Sequence, residues 1–149
     1  MPTSALSKFN QFVEDLGKGV HQLHAAGHTT KVYLSNTVPD AALDAVKADL
    51  AEITNQNGYT APVDTQNDYT ETTGTGTMTG VSFTLTSSGA GFGPFRYIPH
   101  FNDIPITPAD PLINWWDYGS AITPSGGETF AVLFNGVASG SAGTILTIA

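Results

Sequence analysis

The run INWWDY at Ile113–Tyr118 decides most of the fold of this 149-residue chain. It is one of five short runs rich in aromatic and β-branched residues, which clusters of Gly, Pro, Ser and Asn separate. Its companions are VSFTLT (Val81–Thr86), FRYIPHF (Phe95–Phe101), TFAVLF (Thr129–Phe134) and TILTI (Thr144–Ile148). Short strands divided by such turns indicate an antiparallel β-sandwich or a jelly-roll-like fold. Because proline has no N–H to donate, Pro99 predicts that its strand lies at a sheet edge or contains a bulge.

The first third of the chain carries a helical periodicity instead. Apolar residues recur there at spacings of three and four, which marks one face of an amphipathic helix. They are Leu6, Phe9, Val13, Leu16 and Val20. Ser4 is the predicted N-cap of this helix, and Gly17 and Gly19 are the predicted stops.

Two more elements are predicted before residue 56. KVYLSN at Lys31–Asn36 alternates and contains a β-branched residue, which predicts a strand. A second helix is predicted with Asp40 as its N-cap. Its apolar face would contain Leu43, Val46, Leu50 and Ile53. We therefore expect a mainly β (α+β) protein with one or two helices in the N-terminal third.

Residues 56–80 are almost all polar or small, with alternating Gly and Thr. This composition predicts a long loop or loosely patterned edge strands. We expect the part over 70–80 to be able to add a strand to a neighbouring sheet edge. In this interpretation residues 1–149 form a single domain, with a helix-containing part over 1–55 and a β-rich part over 56–149.

The charge balance excludes several classes of function. Five basic residues stand against 13 acidic ones, and the net charge is -8. Binding to nucleic acid or to anionic lipid needs clustered Lys and Arg, so neither partner is expected. The chain has no cysteine, which excludes disulfides and thiolate chemistry. It has neither the apolar run of a membrane span nor the pattern of a signal peptide, so we expect a soluble protein.

His21, His24 and His28 form the one cluster of the metal-ligand type in the sequence. On a continuous helix these three imidazoles could face one zinc ion. Gly19 and Gly27 flank the cluster, however, and glycine disfavours a helix there. The favoured interpretation is three surface or interface histidines after a helix end. We predict no metal and no cofactor, and we expect that removing any one histidine leaves thermal stability nearly unchanged.

No catalytic residues are predicted, and the chain is interpreted as a non-enzyme. Asp103, Asp110 and Asp117 lie near aromatic residues, as the paired carboxylates of a glycan-cleaving groove would. Each of them, however, occupies a position that is ordinary for a turn. The stretch Gly140–Gly143 lacks the spacing of a serine nucleophile turn.

The aromatic residues are the remaining candidates. Trp115 and Trp116 must point to opposite faces of their strand, so one indole belongs to the core and the other faces solvent, a ligand or a neighbour. An outward indole suits a subunit interface, and beside Tyr118 it would also suit a sugar-stacking platform. We expect it to lie in a subunit contact or against the helix that carries Phe9 and Leu16. The candidate interface residues are Phe9, Arg96, Trp115, Trp116 and Tyr118.

Several segments, taken in order, resemble small β-rich structural proteins of tailed-bacteriophage virions. They are FNQFVEDLGKG (Phe9–Gly19), KVYLSN (Lys31–Asn36), VKADLAEI (Val46–Ile53), NGYTA (Asn57–Ala61), GPFRYIPHF (Gly93–Phe101), LINWWDYG (Leu112–Gly119), GETFAV (Gly127–Val132) and GTILTI (Gly143–Ile148). The resemblance covers most of the chain and implies a single β-rich domain without an active site. It implies a capsid decoration (cement) protein located in the virion after assembly in the host cytoplasm.

The partners implied by this resemblance are the major capsid protein and further copies of the chain. One alternative is a structural protein of the phage tail, in the tube or associated with a fibre, with tail proteins as partners. A second alternative is a carbohydrate-binding module that uses Trp115 or Trp116 with Tyr118. A histidine-ligated zinc enzyme is the least favoured alternative.

Overall fold

The computed structural model describes residues 4–149, and this part of the chain is mainly β, with antiparallel sheets and one α-helix near the N-terminus. The strands are β1 (Ser7–Lys8), β2 (Thr30–Val32), β3 (Val63–Asp64), β4 (Asp68–Thr72), β5 (Thr75–Val81), β6 (Phe83–Thr86), β7 (Phe95–Asn102), β8 (Leu112–Ile122), β9 (Thr129–Val132) and β10 (Ala142–Ile148). The helix α1 spans Asn10–Gly17, and two 3₁₀ turns span Lys47–Asp49 and Phe134–Gly136. The fold class predicted from the sequence is confirmed.

The strands form three sheets, and all strand pairs are antiparallel. The five-stranded sheet has the order β1-β8-β7-β2-β3, the three-stranded sheet β10-β5-β4, and the two-stranded sheet β6-β9. The run INWWDY lies in β8, the longest strand described, whose Trp116 pairs with Ile98 of β7. Each of the five predicted C-terminal runs contains an observed strand. Alternation of apolar residues together with turn chemistry was therefore sufficient to locate these strands.

The position of Pro99 corrects one prediction. Its strand β7 lies between β8 and β2 rather than at an edge. The ladder with β2 ends at the pair Val32–His100, and beyond it the N–H of Tyr33 donates to the Pro99 carbonyl at 3.1 Å. The ladder with β8 shifts register on both sides of the proline, between Phe95 and Tyr97 and between His100 and Phe101. Since the regular β2 ladder has ended there, the missing N–H falls at an irregular position, which matches the predicted bulge.

The first helix is shorter than predicted and faces the other way. Ser4 is not its N-cap, because the Ser4 hydroxyl accepts the N–H of Asp117 at 2.8 Å and the helix begins at Asn10. Phe12 is buried in the core, whereas Val13 is 57% exposed. The predicted stop is confirmed, since the helix ends at Gly17 and Gly19 follows with a φ of +74°.

The second predicted helix is wrong. The Asp40 carboxylate accepts the N–H groups of Ala42 and Leu43, as an N-cap would, but only a turn follows. The backbone then bonds to the loop over residues 103–111: the Ala45 carbonyl accepts the N–H of Leu112, and the N–H of Lys47 donates to the Asp110 carbonyl, both at 2.9 Å. These tertiary bonds replace the local bonds of a helix. Tertiary packing overrides helix propensity here.

Both faces of the five-stranded sheet are covered. Successive residues of a strand point to opposite faces, and Tyr33 and Leu34 accordingly belong to different buried clusters. On the inner face the sheet packs, sandwich-like, on residues of the two smaller sheets, among them Met78, Phe130 and Leu146. On the outer face lies a third buried cluster of Phe9, Tyr33, Leu50, Phe101 and Leu112.

Residues 56–80 contain strands rather than one long loop. β4 and β5 form a hairpin, and β5 also pairs with β10 on its other side. Both edges of β5 are thus used within the chain, so the prediction that residues 70–80 add a strand to a neighbour is wrong for β5. β4 is the edge strand of that sheet, as the composition predicted.

Candidate functional site

The histidine cluster lies in the loop after α1, not on a helix. His21 is 7% exposed and its ring packs on Phe12 with the centroids 5.1 Å apart, so the prediction of a surface residue is wrong for His21. His28 is half-buried, and His24 is exposed. The structure brings His21 and His28 together on one side chain of β7, Asn102, and leaves His24 outside this contact.

Asn102 fixes the protonation of both rings. Its amide nitrogen lies 3.1 Å from His21 Nδ1 and 2.9 Å from His28 Nδ1. The N–H of Ile104 donates to its Oδ1 at 3.3 Å, which identifies the amide nitrogen as the atom facing the rings. An amide nitrogen carries two hydrogens and no free lone pair, so both rings accept at Nδ1. Each ring therefore carries its proton on Nε2 and is uncharged.

A second buried polar network lies on the inner face of the sheet. His100 is fully buried, with Nδ1 2.8 Å from Asn114 Oδ1 and Nε2 2.8 Å from the Thr30 hydroxyl. The Thr30 hydroxyl lies in turn 2.7 Å from that of Thr65. Burial lowers the pKa of His21 and of His100 to about 4, because a charged ring would lose its hydration without gaining a carboxylate partner. These contacts brace the strands and leave the rings neutral.

The described residues 4–149 contain no group of three or more His, Cys, Asp or Glu side chains placed to hold a metal ion. The absence of a metal and of a cofactor stays a prediction. Sequence reasoning missed the partner role of Asn102, because nothing in the spacing of residues 21, 28 and 102 relates them.

The three aspartates considered for catalysis have ordinary roles. Asp117 accepts two hydrogen bonds from Arg96, at 2.8 and 2.9 Å, and the bond from Arg96 lowers its pKa. Asp103 pairs with Lys31 at 2.6 Å. Asp110 adopts a left-handed turn conformation, and burial, with the charge of Asp103, raises its pKa. Each carboxylate thus has a local role in a turn or an ion pair.

Trp115 and Trp116 lie on opposite faces of β8, as predicted. Trp115 is half-buried on the outer face, where its ring lies 4.5 Å from that of Phe9 at an angle of 46°. This is the predicted contact with the region of α1. Phe9 itself is fully buried, so its assignment as a surface interface residue is wrong. Arg96 is bound to Asp117, and its side chain remains 39% exposed.

Trp116 and Tyr118 line a groove between β8 and β9. The Trp116 ring lies 5.6 Å from that of Phe134, and the Tyr118 ring lies 5.6 Å edge-on to that of Phe130. One lobe of this groove, about 520 Å³, is lined by Trp116, Val132 and Asn135 among others. A second lobe of about 630 Å³ reaches toward Pro124 and Glu128. Tyr118 and Phe130 line both lobes. We call this two-lobed cleft the β8–β9 groove.

Exposed apolar side chains gather at one end of the molecule. The large hydrophobic residues that are exposed are Val13, Val38, Leu43, Ile104 and Ile106. They lie on α1, on the segment 37–46 and on the loop 103–111. The N–H of Asn10 donates to the Ala41 carbonyl, and Val46 forms a bridge with Pro111, so the three segments adjoin. We call this surface the apolar end. The period-based predictions missed it, because they placed Val13 and Leu43 in the core.

No family model matches the chain, and no curated protein or solved structure matches it. No helix in the described part of the chain has both the length and the apolar run that a bilayer crossing needs.

Proposed function

We propose that this protein is a non-enzymatic structural component of a tailed-phage virion, and that it decorates the capsid by binding the major capsid protein and further copies of itself. The observation that carries this proposal is the apolar end. Leu43 is 79% exposed and Ile106 is 87% exposed, on segments that backbone hydrogen bonds hold together. Contiguous exposed apolar residues on a soluble domain mark an interaction surface.

The size of the apolar end supports a protein partner. Segments 37–46 and 103–111 together hold about 20 residues, which is about the number that one side of a standard protein–protein interface contains. Held loops lose less conformational entropy on binding than mobile ones. The Asp40 carboxylate caps the first segment, and Asp103 ties the second to Lys31. The apolar end is therefore preorganised for a contact between proteins.

The composition supports the same proposal. Charged residues make up 12% of the chain, against a typical ~25% in soluble proteins. A surface with few charges suits a protein that neighbours cover in an assembly. The buried networks around His21 and His100 hold neutral rings, which suits a structural role better than proton transfer.

Copy number in purified virions tests the proposal. Quantitative mass spectrometry of the phage that encodes the chain should find hundreds of copies per particle. A count in the range of a tail tube would favour the tail alternative, and absence from the particle would overturn both. The double variant Leu43→Ser/Ile106→Ser should lower the copy number, whereas Thr84→Ser, an exposed change on β6, should not.

A further inference from the structure

The β8–β9 groove lies between two strand edges that are incompletely paired in the described chain. β9 pairs with β6 on one side and has no strand on the other. β8 pairs with β1 only at Asn114 and Trp115, which leaves the outer edge beyond Trp115 without a partner strand. β8 and β9 are consecutive in the chain but belong to different sheets. The groove therefore offers backbone N–H and C=O groups beside an apolar floor.

The lining of the groove selects an apolar, uncharged occupant. Among the described residues that line the Trp116 lobe, none carries a charge. The edge-on pair of Tyr118 and Phe130 divides the groove, because these two residues line both lobes. An occupant would thus place one apolar group on each side of this pair.

The tip of the loop 103–111 has the complementary pattern. Ile104 is 49% exposed and Ile106 is 87% exposed, two positions apart. Pro105 between them is only half-exposed. The tip over residues 104–109 reads IPITPA and has no charged residue.

We propose that the loop tip at Ile104–Ile106 of one copy seats in the β8–β9 groove of a second copy. This inference deepens the proposed function, on which it rests, by naming the surface that one part of the apolar end binds. The two isoleucines fill the two lobes, and the loop backbone meets the free edge of β9. Pro105 has no N–H and leaves no donor unpaired in the contact.

Charge supports self-recognition at this place. Two copies that each carry a net charge of -8 repel one another. A contact between an uncharged tip and an uncharged lobe brings no like charges into direct opposition. On one copy the loop precedes β8, whereas the groove flanks its second half. Since 11 residues of β-strand span about 35 Å, one copy can use its loop and its groove at the same time.

The test is sedimentation velocity of the full chain over a range of concentrations. The wild type should self-associate, and the loop variant Ile104→Ser/Ile106→Ser should weaken the dissociation constant at least tenfold. The groove variant Val132→Asp should do the same. Val38→Ser, which removes an apolar side chain of the same end outside the loop, should leave association unchanged. Circular dichroism and thermal melting confirm that each variant is folded.

Mixing the two variants gives the sharpest outcome. The loop variant keeps an intact groove and the groove variant keeps an intact loop, so the mixture should form a 1:1 complex that neither forms alone. A mixture that stays monomeric overturns the inference, as does a wild type that stays monomeric at millimolar concentration. Quenching of tryptophan fluorescence by saccharides, with self-association unaffected by Val132→Asp, would also overturn it and assign the groove to a carbohydrate. Virion copy number judges the proposed function separately.

Discussion

At the scale of single residues, Asn102 determines what two histidines can do. Its amide nitrogen donates to Nδ1 of both His21 and His28, so neither ring can take a second proton without losing that bond. The expectation that any of the three histidines can be removed without loss of stability is therefore replaced. We expect it to hold for the exposed His24 and to fail for His21.

The first prediction concerns His21→Phe and His24→Ala. Phenylalanine keeps the ring that packs on Phe12 but removes the acceptor, which leaves an amide hydrogen of Asn102 buried without its partner. We expect a loss of about 1–3 kcal/mol in the free energy of unfolding, measured in urea. His24→Ala should change it by less than about 0.5 kcal/mol. A metal chelator should alter neither value, and zinc found in the purified protein at one ion per chain would contradict this account.

The second prediction concerns acid stability. Burial lowers the pKa of His21 and His100 to about 4 from an unfolded value near 6.5, so the unfolded chain binds protons first as the pH falls. Their contribution to stability is complete above about pH 6.5 and is lost as the pH falls toward 4, at a few kcal/mol for each ring. Thermal melting between pH 7 and pH 4 should show this decline.

The matched control for this pH dependence is again His24. His24→Gln should keep the wild-type decline, whereas His21→Phe should flatten it, because one of the two buried rings no longer titrates. Asp117 loses its bond to Arg96 only at lower pH, since that bond lowers its pKa. A decline that is equally steep in His21→Phe would assign the effect to groups other than His21.

At the scale of elements, β8 separates two indoles by function. Trp116 packs against both buried clusters of the inner face, whereas Trp115 covers Phe9 on the outer face. Both rings are half-buried. The sequence predicted opposite faces, and it predicted one core ring and one outward ring. The structure shows that the outward ring serves as a cover for the third cluster.

The third prediction follows from this division. Trp116→Ala should cost about 3 kcal/mol in urea unfolding, because it opens a cavity between two clusters. Trp115→Ala should cost about 1–2 kcal/mol, because it removes surface cover from Phe9 without leaving an enclosed void. Equal losses for the two variants would contradict the assignment of the faces.

The elements that sequence reasoning located share one property: local pattern alone determines them. Ile113–Tyr118 alternates between two covered faces, and its neighbours in sequence are turn residues, so no distant contact was needed to place it. The segment from Asp40 to Ile53 also has a local period, but its backbone groups bond to residues 110 and 112 instead. Pro99 similarly tolerates a central strand because the β2 ladder ends beside it. Sequence spacing does not report such tertiary partners.

At the scale of the whole molecule, the candidate surfaces combine distant parts of the chain. The Trp116 lobe of the groove is built from Ser4, from β7 and β8, and from residues 130–136. Only its aromatic wall was predictable, because Trp116 and Tyr118 are two apart in one strand. The opposite wall depends on how β9 leaves the sheet of β8, which is a property of the topology. The apolar end likewise required the contacts that join residues 41 and 10 and residues 46 and 111.

The fourth prediction concerns the salt dependence of self-association. Copies with a net charge of -8 repel each other over a Debye length, which shortens from about 14 Å at 0.05 M salt to about 4 Å at 0.5 M. The proposed contact between loop tip and groove contains no ion pair that salt would weaken. Raising the NaCl concentration over this range should therefore tighten the dissociation constant, by roughly three- to tenfold if the relief of repulsion is worth about 1 kcal/mol. Sedimentation velocity of the wild type measures this change, and Val132→Asp should remain weakly associated at both concentrations. Weaker association at high salt would contradict an uncharged contact and would indicate ion pairs between copies, with the cations at Lys8 and Lys18 of the acidic chain as the first to replace by Gln.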